Sequence, residues 1–359
     1  MSEFDQKTSI NLQTCAITAL ACGVAAILAF ALHLDNPWWA VISAWVIANP
    51  ERHALLEKAA NRILGTVIGC ISSYWFALWV EGRPVLQIFA MFVIAAVGVY
   101  GRFCSGHSYA WIIGAVGALA IFSTSLETPG QLYHLALFRA FEVTCGVVAA
   151  TFIELLLYHE NSAIDSKTAP PKQTDKAIAP AMDRSNALRL ATIGGVTTML
   201  IPILWSWLSL PSLSQIVISS LVVLDRDGAS THFRGLQRVL GCLVGGAFGL
   251  LIIRLGPDSF LIWFVMLVAG IFLFSLLHHS TSRWSYIGTQ GGVAFILALV
   301  TGIGPPDSIM PAVNRIAGML CGVGILLCVS FVFGHAGGSR SQVQGGTKTT
   351  EFRREIAPL

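Results

Sequence analysis

The sequence NRILGTVIG at residues 61–69 recurs as QRVLGCLVG at residues 237–245, an offset of 176 positions. The same offset relates a second pair of motifs, Arg139 with Cys145-Gly146-Val147 and Arg315 with Cys321-Gly322-Val323. Two separate motifs that share one offset indicate an internal duplication. The fold is therefore expected to consist of two related halves.

Strongly apolar sequence surrounds both motifs. Hydrophobic residues make up 55% of the 359-residue chain and charged residues 11%, whereas charged residues form about 25% of an ordinary soluble protein. So few charges cannot cover a soluble surface, which argues against a soluble enzyme. The net charge of +3 is too small to indicate binding to nucleic acid.

Each half contains six apolar runs, most of them near the ~20 residues needed to span a bilayer. They cover residues 10–34, 35–49, 62–80, 84–103, 106–126 and 135–158, then 185–208, 210–224, 236–254, 259–277, 285–303 and 309–334. We predict an all-α polytopic membrane protein of about 12 transmembrane helices, arranged as two parallel six-helix repeats. A functional site is expected near the axis that relates the repeats.

The polar stretches set the predicted domain boundaries. Residues 1–158 form the first repeat, 159–183 a cytoplasmic linker, 184–334 the second repeat and 335–359 a disordered cytoplasmic tail. With both termini in the cytoplasm, only four of the 22 Lys and Arg residues lie outside, namely Arg83, Arg139, Arg254 and Arg315. This bias follows the positive-inside rule.

Basic residues recur at the cytoplasmic end of the third helix of each half. Arg62 and Arg238 are expected to begin these helices, with Lys58 and Arg234 one helical turn earlier. Four cations near the axis would attract anions, although basic residues at such positions also serve as topological anchors. The Gly-x3-Gly spacing after each arginine predicts that this helix packs closely in a crowded centre.

Arg139 and Arg315 lie about one turn inside helices six and twelve, on the side where arginine is disfavoured. A charge there needs a polar cavity or a partner. Arg139 either attracts a substrate anion or pairs with Glu142, three residues later. In the first case Glu142 is a candidate proton-coupling group. Trp39 either belongs to an aromatic belt or stacks on an aromatic substrate.

Other polar residues carry weaker signals. Glu154 is expected at the membrane interface near the inner end of helix six, and His278 and His279 in an exposed loop. No Walker, GxSxG or HExxH motif occurs, and the eight cysteines show neither CxxC pairs nor metal-ligand spacing. We expect no enzymatic activity, no cofactor and no metal site.

The segment Asn36-Pro37-Trp38-Trp39-Ala40, the pair Asn49-Pro50 and the stretch 62–69 resemble the fusaric acid resistance family. The resemblance covers the first half well and reaches the second through residues 238–241 and Gly245. It implies a bacterial inner-membrane exporter of aromatic carboxylic acids, with plant aluminium-activated malate channels as distant relatives. It also implies that the arginines at 62 and 238 lie in the transport path. The short linker argues against carrying over a periplasmic adaptor partner.

Three functions remain open at this point. The first is a proton-coupled secondary exporter of organic or aromatic acids or related toxic compounds. Its predicted substrate-binding residues are Arg62, Arg238, Arg139, Arg315, Lys58, Arg234 and Trp39, with Glu142 as the proton-coupling residue. A passive organic-anion channel would use the same basic residues, and a non-transporting membrane subunit would not need them. The expected partners are a small organic anion and the lipid bilayer, and the unit is a single chain or a homodimer.

Overall fold

The computed structural model describes residues 12–157, 182–226, 228–256, 259–302, 306 and 308–352. In these ranges the chain forms twelve α-helices and a one-turn 3-10 helix at Pro129–Gln131. The helices are α1 Leu12–Ala31, α2 Trp38–Ile47, α3 Arg52–Trp79, α4 Pro84–Cys104, α5 Ser108–Glu127, α6 Leu132–Leu157, α7 Arg184–Leu208, α8 Leu213–Val223, α9 Gly228–Leu255, α10 Phe260–His278, α11 Ser285–Leu299 and α12 Met310–Phe352. The predicted all-α polytopic architecture is confirmed.

The helices differ in their ability to cross a membrane. Nine of those described are long and apolar enough to do so, and the shorter ones are α2, α8 and α11. Helices α2 and α8 have 10 and 11 residues, as their short apolar runs predicted. Helix α11 ends at Leu299, earlier than the predicted residue 303, and the residues that follow, with glycines at 302 and 304 and prolines at 305 and 306, are poor helix formers.

Helices α3 and α9 begin earlier than hydropathy predicted. They start at Arg52 and Gly228, whereas starts at 62 and 236 were expected. Charged residues lower the hydropathy of the first turns but do not interrupt the helical backbone. Arg62 and Arg238 consequently lie well inside their helices, which corrects their predicted position at the helix ends.

Equivalent helices make equivalent contacts in the two halves. Helix α3 packs on α5 as α9 packs on α11, and α2 packs on α6 as α8 packs on α12. Between the halves, α1 packs against α10 as α7 packs against α4. These pairings are typical of parallel repeats related by an approximate two-fold axis.

The contact between α2 and α6 keeps the same register in both halves. A Cβ atom at Gly146 would collide with the carbonyl oxygen of Ala40, and one at Gly322 with the carbonyl oxygen of Ile216. Glycine is needed at both positions because the two backbones touch there. Each half therefore carries its short helix directly on the backbone of its sixth helix.

The Gly-x3-Gly motifs also bring backbones together. A Cβ atom at Gly65 would lie 2.5 Å from the carbonyl oxygen of Ala110, and one at Gly241 would lie 2.7 Å from that of Ile287. The opposite face of α3 is exposed, since Ile68 is 64% and Trp75 66% accessible. The expected central position of this helix is therefore wrong, and α3 lies at the edge of the bundle.

The linker and tail fall largely outside the described residues. Residues 159–181 and 353–359 are among those not described. Helix α12 continues to Phe352, so its backbone is helical over much of the segment for which a disordered tail was expected. The predicted domain boundaries stay predictions.

Candidate functional site

Two arginines from different halves stack on the tandem tryptophans at the start of α2. The guanidinium carbon of Arg139 lies 3.2 Å from the centre of the Trp39 ring. That of Arg315 lies 3.8 Å from the centre of the Trp38 ring. Guanidinium groups bind favourably over indole faces. Three predicted substrate-binding residues, Arg139, Arg315 and Trp39, thus meet at one end of a short helix.

Arg139 is buried but makes no hydrogen bond to any described residue. It is 4% exposed, and it takes part in neither of the ion pairs found in the described part of the chain. Burying a cation without a hydrogen-bond or ion-pair partner is costly. Its N–H donors are therefore available to a carboxylate, which would satisfy them with charge-assisted hydrogen bonds.

Glu142 makes a different bond from the expected one. Its Oε1 atom accepts a hydrogen bond from the backbone N–H of Asn36 at 2.6 Å, and its Oε2 atom is buried without a partner. The alternative of a structural ion pair between Arg139 and Glu142 is not realised, because their charged atoms lie more than 4.0 Å apart. The N–H of Asn36 is free for Glu142 because it precedes the first turn of α2.

The second half lacks a counterpart of this arrangement. At the offset of 176, Trp39 corresponds to Gln215 and Glu142 to Gly318. Arg315 donates a hydrogen bond to the carbonyl oxygen of Leu297 at 2.9 Å, so its guanidinium is already partly satisfied. The chain therefore contains one Arg–Trp–Glu site of this kind among its described residues.

Arg62 and Arg238 are buried and bonded within their own halves. Arg62 donates to the hydroxyl of Tyr109 at 2.7 Å, while its Nε atom is buried without a partner. Arg238 donates to Oγ of Ser219 at 2.9 Å and to Oε1 of Gln290. The polar amide of Gln290, which needed a partner inside α11, finds it in this arginine.

Lys58 and Arg234 extend these two clusters toward the N-terminal ends of α3 and α9. The Nζ atom of Lys58 lies 6.0 Å from the centre of the Tyr109 ring. The Nε atom of Arg234 lies 2.8 Å from a carboxylate oxygen of Asp225. Lys58 also acts electrostatically on His279 of the second half, and Arg234 on Arg102 of the first half. A shared role of the four cations in attracting anions stays a prediction.

Comparison with known proteins identifies the family. The sequence pattern of the fusaric acid resistance protein-like family matches residues 24–153 and 198–329, which is most of both halves. The chain belongs to this family. No solved structure matches it.

This family member is similar to bacterial proteins named p-hydroxybenzoic acid efflux pump subunit AaeB. The protein of Yersinia enterocolitica is 29% identical over 160 residues, 42% of this chain and 25% of the relative. That of Citrobacter koseri is 29% identical over 156 residues, 38% of this chain and 23% of the relative. That of Escherichia coli is 28% identical over 165 residues, 41% of this chain and 23% of the relative. The match thus spans about a quarter of the length of these relatives.

Glu154 is a buried carboxylate near the C-terminal end of α6, and its predicted place at the membrane interface stays a prediction. It is 1% exposed, its Oε2 atom accepts a hydrogen bond from the backbone N–H of Asn49 at 3.1 Å, and its Oε1 atom is buried without a partner. The signal that could have found it is a carboxylate within an apolar run. Such residues are rare in membrane helices and mark functional positions.

The two histidines at the end of α10 are not free loop residues either. His278 Nδ1 lies 2.7 Å from Oγ1 of Thr289, and His279 Nε2 lies 2.9 Å from Oγ1 of Thr18. Burial lowers the pKa of His279 from its ordinary value of 6.5 to about 4, and the positive charge of Lys58 adds to this effect. His279, just past the end of the span, is therefore neutral at pH 7.

Metal binding finds no support in the described residues. No group of three or more His, Cys, Asp or Glu side chains with the geometry of a metal site occurs there. The polar clusters around α2 are thus built from cations, carboxylates and indole rings.

Proposed function

We propose that this protein is a proton-coupled secondary exporter of aromatic carboxylic acids or related toxic compounds. It acts in the bacterial inner membrane with both termini in the cytoplasm, and its halves 1–158 and 184–334 rearrange around one site. The family assignment and the names of the AaeB relatives support this proposal. The site lies within one chain, so the proposal applies to a monomer or a homodimer and includes no periplasmic adaptor.

The observation that carries the proposal is the unbonded Arg139 guanidinium on the Trp39 ring. A guanidinium fixed over an indole directs its N–H groups outward along its plane, where a carboxylate can accept two of them. The N-terminus of α2 adds a partial positive charge at the same place. An aromatic acid would combine this carboxylate contact with packing of its ring beside the indoles.

The remaining predicted residues have roles around this site. Arg62, Arg238, Lys58 and Arg234 would attract the acid on the cytoplasmic side. Arg315 would hold the ring of Trp38 in position.

Glu142 is the proton-coupling residue of the proposal. It is fully buried beside Arg139, and one of its carboxylate oxygens has no partner. Protonation would remove the negative charge from the neighbourhood of the anion site.

Transport by purified protein in proteoliposomes tests the proposal. An imposed pH gradient is expected to drive p-hydroxybenzoate or benzoate against its concentration gradient. At subsaturating substrate, Arg139→Met is expected to lower this transport by about tenfold or more, because charge-assisted hydrogen bonds are lost. Arg254→Met is the matched control, since Arg254 is an exposed arginine on the same predicted side.

The outcomes separate the alternatives. Flux that follows only the membrane potential and survives Glu142→Gln would identify a passive anion channel. No movement of any aromatic acid by the wild type would overturn the proposal and favour a non-transporting membrane subunit.

A further inference from the structure

We infer that Glu154 is a second proton-binding site, located at the inner end of α2, and that it carries the proton exchanged for the outgoing acid. This inference rests on the function proposed above. It assigns the exchanged proton to a residue at the opposite end of α2 from Arg139.

Helix α2 is bonded at both ends by carboxylates of α6. Glu142 accepts the backbone N–H of Asn36 just before the helix, and Glu154 accepts that of Asn49 just after it. The helix has 10 residues and contains no titratable side chain of its own. Its position is therefore sensitive to the charge of the two glutamates that hold it.

Little in the surroundings of Glu154 compensates a negative charge. The residue is 1% exposed, and Oε1 is buried without a hydrogen-bond partner. Lys58 on α3 acts on it electrostatically but lies beyond ion-pair distance, and Cys22 on α1 is the other titratable group that faces it. Burying an ionised carboxylate with a bare oxygen is far more costly than burying a protonated one. Proton binding at Glu154 thus relieves a cost built into the packed interior.

The distance between the two glutamates gives them different tasks. Glu142 lies three residues from Arg139, so a proton on Glu142 removes a negative charge beside the anion site and favours anion binding. Glu142 thus takes part in coupling by linking protonation to acid binding at the site. Glu154 lies about 18 Å further along α6 at ~1.5 Å per residue, where direct attraction between the proton and the anion is weak. Exchange of acid for proton requires that the bound proton does not favour acid binding, and a proton on Glu154 is too far from the anion site to attract the acid directly.

Protonation of Glu154 would act on the acid site through α2. The bond from the Asn49 N–H to an ionised carboxylate is charge-assisted, and protonation converts it into a weaker neutral bond. The inner end of α2 is then held less firmly, while its outer end carries the tryptophans on which Arg139 and Arg315 lie.

Two assays in proteoliposomes separate coupling from binding. Accumulation of p-hydroxybenzoate driven by a pH gradient requires proton transfer, whereas exchange of labelled for unlabelled p-hydroxybenzoate at equal pH does not. Glu154→Gln is expected to lower the ratio of accumulation to exchange by about tenfold, within the ~5–150-fold range typical of coupling between two sites. Glu127→Gln is the matched control and should keep the wild-type ratio, because Glu127 also accepts a backbone N–H, from Leu213 at 2.9 Å, but at α8.

The results distinguish the inference from the proposed function. An unchanged ratio in Glu154→Gln, with active wild type, would overturn the role of Glu154 and leave the exporter proposal standing. A wild type that shows neither accumulation nor exchange would refute the exporter proposal itself.

A measurement on the wild-type protein covers the case in which Glu154→Gln does not fold. Hydrophobic carbodiimides modify protonated carboxyl groups in apolar surroundings. Mass spectrometry of the treated protein is expected to show modification of Glu154 that increases as the pH is lowered. The absence of modification at Glu154 at every pH would overturn the inference.

Discussion

Replacing Arg139 by Met should separate the effect on binding from the effect on stability. Methionine is unbranched and packs well against aromatic rings, so it can keep the contact with Trp39. The substitution removes a 4%-exposed cation that makes no hydrogen bond. We therefore expect the free energy of unfolding to stay within about 1 kcal/mol of the wild-type value or to rise, because no bonded partner is left behind.

The expected loss of binding follows from the bonds that a carboxylate would make to the guanidinium. A hydrogen bond to a charged group contributes about 1.5–3 kcal/mol. At about 1.4 kcal/mol per factor of ten, the Kd for p-hydroxybenzoate should rise by roughly 10- to 100-fold. Isothermal titration calorimetry in detergent would measure the Kd, and thermal unfolding of the same samples would measure stability.

Arg315→Met is the matched control for this prediction. It also removes a guanidinium from an indole ring, but it breaks the hydrogen bond to the Leu297 carbonyl. We expect it to cost about 1–3 kcal/mol of stability, since a buried acceptor loses its donor, and to change the Kd less than Arg139→Met does. The reasoning would be refuted if Arg139→Met bound the acid like the wild type, or lost as much stability as Arg315→Met.

Three further predictions concern the bundle around the site. Gly146→Ala should lower the unfolding temperature, because its Cβ would collide with a neighbouring backbone and overpacking costs about 1–3 kcal/mol. Gly324→Ala should leave the unfolding temperature unchanged, because a Cβ atom there would meet open space. An equal shift in both variants would contradict the close approach of α2 and α6. Arg238→Met should destabilise by about 1–3 kcal/mol because it leaves Gln290 unpartnered, and chemical unfolding that matches the wild type would refute this. Burial lowers the pKa of His279 from 6.5 to about 4, so the unfolded state binds the proton first and stability falls as the pH drops through this window. Unfolding temperatures measured from pH 6.5 down to about 4 should fall less in His279→Gln than in the wild type.

The sequence predicted the elements of the fold because hydropathy and repetition are local properties. The apolar runs gave twelve helices, including the short α2 and α8, and the offset of 176 relates contacts such as those of Gly146 and Gly322. The starts of α3 and α9 were missed because their charged first turns resemble loops in a hydropathy profile.

The partners of the buried charges could not be predicted, because tertiary contacts decide them. The i, i+3 spacing of Arg139 and Glu142 suggested an ion pair, but the N–H of Asn36 and the ring of Trp39 compete for these groups. Neither competitor is close in sequence. The stack of Arg315 on Trp38 joins opposite halves of the chain, and nothing in the local pattern indicates it.

The packing between the halves determines which fragments of this chain could assemble. A chain cut between residues 157 and 182 would leave two six-helix pieces that join through α1 with α10 and through α4 with α7. The stack of Arg315 on Trp38 forms only when one piece of each kind is present, since the position equivalent to Trp38 in the second half is Ser214. The two pieces would therefore select each other over copies of themselves. The intact chain is in this sense a covalently tethered heterodimer, and its tether fixes the one-to-one stoichiometry of the two halves.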